Sequence, residues 1–329
     1  MKPRTLLLFF LLLLIIASCK KQEQTKDHAF IGGNQGLAVK ILQGAPPPII
    51  QDEGSSPFSV IANFANIGEA EVGPGTENPF VLIRLLGIVP EQFGTKPENL
   101  YQTLQHKLGG AKRNFDGTVL PGEIEVAVFE PLNFLGNVIE TNAITMRLDV
   151  CYDYSTYSTV KICLKDDILE SYQDSTICML RDLHLPVGNS GAPLQILTAD
   201  ESPAGNDRIQ VNLIVGHVGK GMNFRRGTID PRNACEFSQQ NKDAFYTTLA
   251  VKYEDDHFIL SCQGLTQVNS EGYIFGEIRL YDNAPTTVTC YLKRVKPSKN
   301  RVYQSILQTK LKYRYGEYVE IPLAVQDVH

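Results

Sequence analysis

Tryptophan is absent from the 329-residue chain, so a carbohydrate-binding module, which favours indole faces for sugar stacking, would have to rely on tyrosine. No Asn-x-Ser/Thr sequon occurs, and no N-linked glycan coat is expected. Walker-type loops, histidine pairs at metalloprotease spacing and strand-anchored GxGxxG turns are also missing, which argues against the common nucleotide and zinc-hydrolase chemistries. No two cysteines are separated by only two residues and none is grouped with histidines, so neither a zinc site nor any other cofactor is expected. Charge of neither sign dominates. With a net charge of -5 and acids and bases interspersed, there is no basic face for nucleic acid and no acidic tail for a cationic partner.

Among the features present, the N-terminus comes first. Lys2 and Arg4 precede an apolar run from Leu6 to Ala17, closed by Ile16-Ala17-Ser18-Cys19. A helix crossing a hydrocarbon core of ~30 Å needs about 20 residues, so this run is too short for a permanent span and has the layout of an export signal. The small residues before Cys19 predict a lipoprotein signal peptide over residues 1–18, cut to leave Cys19 as the lipid-bearing N-terminus. Residues 19–35 then read as a polar tether. The expected location is the extracytoplasmic face of the cell envelope, with the membrane as partner through lipid on Cys19. The bland alternative is a secretory signal with an incidental cysteine.

Six cysteines remain: Cys151, Cys163, Cys178, Cys235, Cys262 and Cys290. An even set in an exported chain predicts up to three disulfides. Cys151 and Cys163 are symmetric about Tyr157 in a predicted hairpin, Cys262 and Cys290 are candidates for bridging two later strands, and Cys178 and Cys235 then tie a linker to the second half.

The 311 residues after the signal exceed what one hydrophobic core usually serves, which predicts two domains. Fourteen Tyr and fifteen Phe among many Val, Ile and Thr favour strands. PFSVIANFANIG alternates Phe58, Val60, Ala62 and Phe64 against Ser59, Ile61, Asn63 and Ala65. FVLIRLLGI (80–88) reads as a central strand, PENLYQTLQHKL as a short helix with Leu100, Leu104 and Leu108 on one face, and STYST as a hairpin turn. Gly316, among Tyr313, Tyr315 and Tyr318, is a tight-turn candidate. A second cycle follows residue 190: GAPLQIL (191–197) echoes GLAVKIL (36–42), IQVNLIVGHVGKG (209–221) echoes SVIANFANIGEAE (59–71), and LQTKLKYRYGEY (307–318) echoes ITMRLDVCYDY (144–154). The prediction is an all-β chain of two tandem immunoglobulin-like β-sandwich domains, 36–165 and 191–329, joined by a linker over 166–190.

GLAVKIL followed by PPP, FSVIANFANIG, LPGEIEVAVFE, ITMRLDVCYDYSTYSTVKICLKD, ICMLRDLHLPVGNSGAPLQIL and the separated Cys235, Cys262 and Cys290 carry a resemblance. In this order they resemble a loosely defined group of uncharacterised exported proteins, mostly of small-genome archaeal lineages. The chain departs from that group in having GNSGAP where a GGQGAP-like run is usual. The resemblance implies a tandem immunoglobulin-like architecture at the cell surface and no enzymatic role.

Candidate chemistry is sparse. Gly188-Asn189-Ser190-Gly191-Ala192-Pro193 is similar to the turn around a serine-protease nucleophile, but no upstream histidine sits in a suitable context, so an interdomain turn is the better reading. His217 lies in an apolar strand as a core or turn histidine would. Glu254-Asp255-Asp256-His257 reads as a solvated hairpin turn, as does the acidic loop at Asp200, Glu201, Asn206 and Asp207, because Ca²⁺ needs six to eight oxygens around it. The expected function is therefore non-catalytic binding or envelope structure, facing an unknown protein or glycan partner through the long segments 91–120 and 219–245. The alternatives are a secreted serine hydrolase using Ser190 and a carbohydrate-binding module.

Overall fold

Strict alternation builds the clearest strand, Phe58–Asn66, in which every second side chain from Phe58 to Phe64 is buried and those between are half-buried. The structure, a computed structural model, describes residues 30–169, 177–178, 180, 184–227, 234–237, 240–297 and 302–329. The expected export signal over residues 1–18 and the lipidation candidate Cys19 lie outside the described residues. The first strands are β1 (Leu37–Ile41), β2 (Ile49–Gln51), β3 (Phe58–Asn66), β4 (Val81–Leu86), β5 (Tyr101–Gln102), β6 (Lys112–Arg113), β7 (Val119–Leu120), β8 (Ile124–Leu132) and β9 (Asn142–Lys165). They are followed by β10 (Val187–Asn189), β11 (Leu194–Pro203), β12 (Arg208–His217), β13 (Met222–Phe224), β14 (Tyr246–Lys252) and β15 (Phe258–Cys262). The last are β16 (Gln267–Val268), β17 (Ile274–Arg279), β18 (Thr286–Arg294) and β19 (Val302–Gln326). No α-helix forms among the described residues.

The protein is an all-β sandwich. A ten-stranded sheet follows the order β16-β17-β14-β19-β9-β4-β5, with β10 added to β9 and β13 and β2 added to β19. Two smaller sheets, β1-β3-β8 and β11-β12-β18-β15, share one continuous hydrophobic core with it. Strands β9 and β19, of 24 and 25 residues, pair antiparallel from Val302 against Lys165 to Val325 against Asn142. Each therefore runs past both smaller sheets. The sheets do not divide at the expected boundary: β4 and β9 from the first half share a sheet with β14 and β19 from the second, and β2 pairs with the end of β19. The stretch expected as a linker contributes β10 to that sheet. Ile31 and Gly32, expected in the tether, donate their N–H groups to the Glu69 carboxylate and belong to the fold.

The repeated segments occupy matching places. GLAVKIL supplies β1 and GAPLQIL leads into β11; each of these strands borders its small sheet and pairs with the next echo segment, β3 or β12. The third echo pair, β9 and β19, are each other's neighbours. Asp153 faces Arg314 at the middle of that pairing, 2.9 Å apart, and the arrangement repeats outward from this buried ion pair.

Two predicted turns lie inside long strands. STYST is the centre of β9, so Cys151 and Cys163 stand twelve residues apart on one strand, about 40 Å at strand rise and far beyond a disulfide's reach. The bonds formed are Cys151–Cys235 and Cys163–Cys178, in place of the expected Cys151–Cys163 and Cys178–Cys235. Cys262–Cys290 forms as expected, between directly opposed residues of β15 and β18. Gly316 is no turn either. It opposes Cys151 in the β9–β19 ladder, and a Cβ there would sit 2.9 Å from Cys235 Cβ, so the glycine makes room for the disulfide crossing over it. Leu100, Leu104 and Leu108 are all buried, but a 3₁₀ turn at Pro97–Leu100 and extended chain replace the predicted helix.

Candidate functional site

Four tyrosines, Tyr152 and Tyr154 on β9 and Tyr313 and Tyr315 on β19, are buried where the two strands cross the middle of the molecule. Their hydroxyls reach across the core to matching places. Tyr152 accepts the N–H of Leu37 at 3.2 Å and Tyr313 that of Leu194 at 3.4 Å, each at the start of its border strand. Tyr154 donates to Asn66 Oδ1 and accepts Ala70 N–H, whereas Tyr315 bonds His217 Nε2 at 3.0 Å and accepts Gly221 N–H. Asn66 and His217 are counterparts, opposing Leu37 and Leu194 in the two small sheets. Burial lowers the pKa of His217 and pushes all four phenols up, so both kinds of side chain stay neutral as hydrogen-bonding posts. The glycine-marked turns have the same origin. A Cβ on Gly68 would lie 2.1 Å from the Tyr154 hydroxyl, and one on Gly219 would lie 2.3 Å from that of Tyr315.

The halves differ at the seam between small and large sheets. Beside β11, β10 pairs with Ser158–Val160 of β9, and the Asn189 amide seals the join. Its Oδ1 accepts the Ser158 hydroxyl and Ile196 N–H, and its Nδ2 donates to Ile196 O. Beside β1 the matching seam is open. On the side of β19 away from β9, no described strand pairs between Gly316, the last partner of β13, and Ala324, the first partner of β2. A cavity of about 650 Å³ lies there, lined by Val39, the counterpart of Ile196, and by Lys220, Met222, Phe237, Glu317 and Val319. Burial pushes the Glu317 carboxyl up to about 7 against the opposing charge of Lys220. Its Oε1 is buried without a hydrogen-bond partner among the described residues. Arg147 stacks over the neighbouring Phe237 and Tyr318 rings, stiffening one wall.

The residues singled out in the sequence are not gathered here. Ser190 is buried, accepts the Tyr157 N–H at 2.9 Å and returns its own N–H to Tyr157 O; no described histidine bonds its hydroxyl. Asp255, Asp256 and His257 place their ligand atoms within 4.8 Å of one another. Each is engaged, however: Asp256 pairs with Lys296, and Asp255 accepts from Tyr303 and His257. Burial works to raise the Asp255 pKa, but these hydrogen bonds hold it down to about 2. Glu201 is buried with its carboxylate on the Cys163 N–H, and Asp207 pairs with Arg208 and Lys293. The segment 219–245 does reach the cavity, through Lys220, Met222 and Phe237. Sequence reasoning missed Glu317, whose one signal is an acidic residue at an inward position of the β19 alternation.

No protein-family model and no curated protein matches the chain. Among solved structures it is similar to the Mu homology domain of Fcho1 from Danio rerio, determined with a bound Eps15 peptide. The identity is 11%, over 56% of this chain and 87% of that chain, with a TM-score of 0.22, too slight a likeness to carry an argument.

Proposed function

We propose that this is a lipid-anchored, non-catalytic binding protein of the cell envelope, and that the open seam between β1 and β19 receives an extended segment of a partner protein. The observation that carries the reading is internal: the same seam in the other half is filled by a strand, β10, locked by an amide side chain onto Ile196. An unpaired strand edge offers main-chain donors and acceptors to an added strand. The unpartnered oxygen of Glu317 adds an acceptor for a donating side chain. The bonding of Ser190 to the Tyr157 main chain supports a structural role for that serine. A photo-crosslinking amino acid placed at Val319 in the producing cell should yield a protein adduct that the same group at exposed Val268 does not. Absence of the Val319 adduct would remove the seam as a site. Labelling of Ser190 by a fluorophosphonate, lost on Ser190→Ala, would overturn the non-catalytic reading. Mass spectrometry of the mature chain should find lipid on Cys19.

A further inference from the structure

The core side of β8 is carried by Ala127, Phe129 and Leu132, with Ala127 and Phe129 opposing Ala62 and Val60 of β3. That parity turns the more apolar residues outward: Ile124 is 65% exposed and Val126 is 52% exposed. The β6–β7 hairpin before it adds Val119, Leu120 and, at its tip, Phe115, which has no cover at all. Exposed apolar side chains gathered along one stretch of chain, from Phe115 to Val126, mark a surface meant to be covered. The hairpin also stands where the chain enters the fold. Arg113 in β6 donates to the carbonyl of Phe30, the first described residue, and Ala111 beside it bonds Gly68.

We propose that this hairpin and the adjoining edge of β8 are a membrane-docking surface, with Phe115 inserted at the lipid interface and Lys112 and Arg113 at headgroup level. The proposal rests on the lipid-anchoring reading. Only residues 20–29 separate Cys19 from Phe30, and a chain of that length reaches at most ~40 Å even when fully extended. Lipid on Cys19 therefore holds the Phe30 end of the sandwich close to the bilayer and presents the hairpin to it. An interfacial aromatic beside basic residues supplies a second attachment besides the lipid and fixes how the sandwich faces the bilayer.

The absence of tryptophan makes the test direct, because Phe115→Trp introduces a lone indole that can be excited apart from the tyrosines. A lipid-free chain of residues 20–329, which contains the whole described fold, is mixed with vesicles of phosphatidylcholine and phosphatidylglycerol. The expected results are a blue shift, shielding from iodide, and co-sedimentation that falls about tenfold or more on Phe115→Asp. The same change at Val268, exposed on β16, should leave co-sedimentation unaltered. Emission identical with and without vesicles, or vesicle binding that survives Phe115→Asp combined with Leu120→Asp, would overturn the proposal. Vesicle binding by the lipid-free chain together with an unmodified Cys19 would instead remove the anchor and leave the docking surface.

Discussion

In the half built on β11 and β12, Asn189 reaches both Ser158 and Ile196 and shuts the gap between the sheets, whereas in the half built on β1 and β3 the same gap stands open at Val39 and Val319. Everything that fixes the frame is shared. Each half has two buried tyrosines on its long strand, hydroxyls bonded to the start of the border strand and to the turn after the next one, and a glycine where the second hydroxyl passes. At the seam the halves diverge, with Glu317 and Val319 standing at the places of Thr156 and Ser158. A duplicated scaffold thus keeps its posts and frees one joint, and the freed joint is where a new role can be added without disturbing the core.

The strongest way to break the comparison is to remove the staple beside the open seam. The Cys151–Cys235 bond spans 84 residues, and converting both cysteines to serine should cost about 4–5 kcal/mol in thermal or denaturant unfolding. Opening Cys163–Cys178, with a separation of 15, should cost about 3 kcal/mol. Gly68→Ala and Gly219→Ala should each destabilise by about 3 kcal/mol, and Tyr154→Phe should recover part of the first loss by withdrawing the clashing hydroxyl. A costly Gly68→Ala beside a neutral Gly219→Ala would end the equivalence of the two halves. Asn189→Ala should cost about 2 kcal/mol and speed amide exchange at Ile196 without altering Val39, making the closed seam resemble the open one.

Glu317 sharpens the contrast by pH. Its folded pKa of about 7 stands above the ordinary value of 4.5, so between those values the folded chain binds more protons than the unfolded chain. Stability is therefore expected to fall as pH rises from 4.5 to 7, by about 1–2 kcal/mol once partial exposure is allowed for. Glu317→Gln should flatten this dependence in unfolding titrations. The smallest effect belongs to His217→Asn, which copies Asn66 into the second half and should change stability by less than about 1 kcal/mol.

Alternation and internal echo made much of this frame legible from residues alone: β3 was readable from its period of two, and β1, β11 and β12 from their repeats. The centre of β9 was not, because Ser155-Thr156-Tyr157-Ser158-Thr159 has the composition of a turn. Those residues stay in a strand since tertiary partners absorb their hydroxyls: Ser155 bonds Asn78, Thr156 bonds Leu194 O, Tyr157 bonds Glu77 and Ser158 bonds Asn189. None of these partners is near in sequence, so no local pattern could announce them. Two of the three disulfides were mispaired for this reason. The open seam was equally hidden, since it is defined by a strand that one half has and the other lacks.

The pairing of β9 with β19 along their whole lengths also dictates the order in which the chain can fold. While residues up to 301 emerge, β9 has no neighbour on one side, and the first half cannot complete its large sheet until Val302–Gln326 arrives. Such long-range closure makes for slow folding and leaves an exposed, strand-hungry edge for the duration of synthesis. A chain truncated before β19 is thus expected to yield neither half as a soluble product.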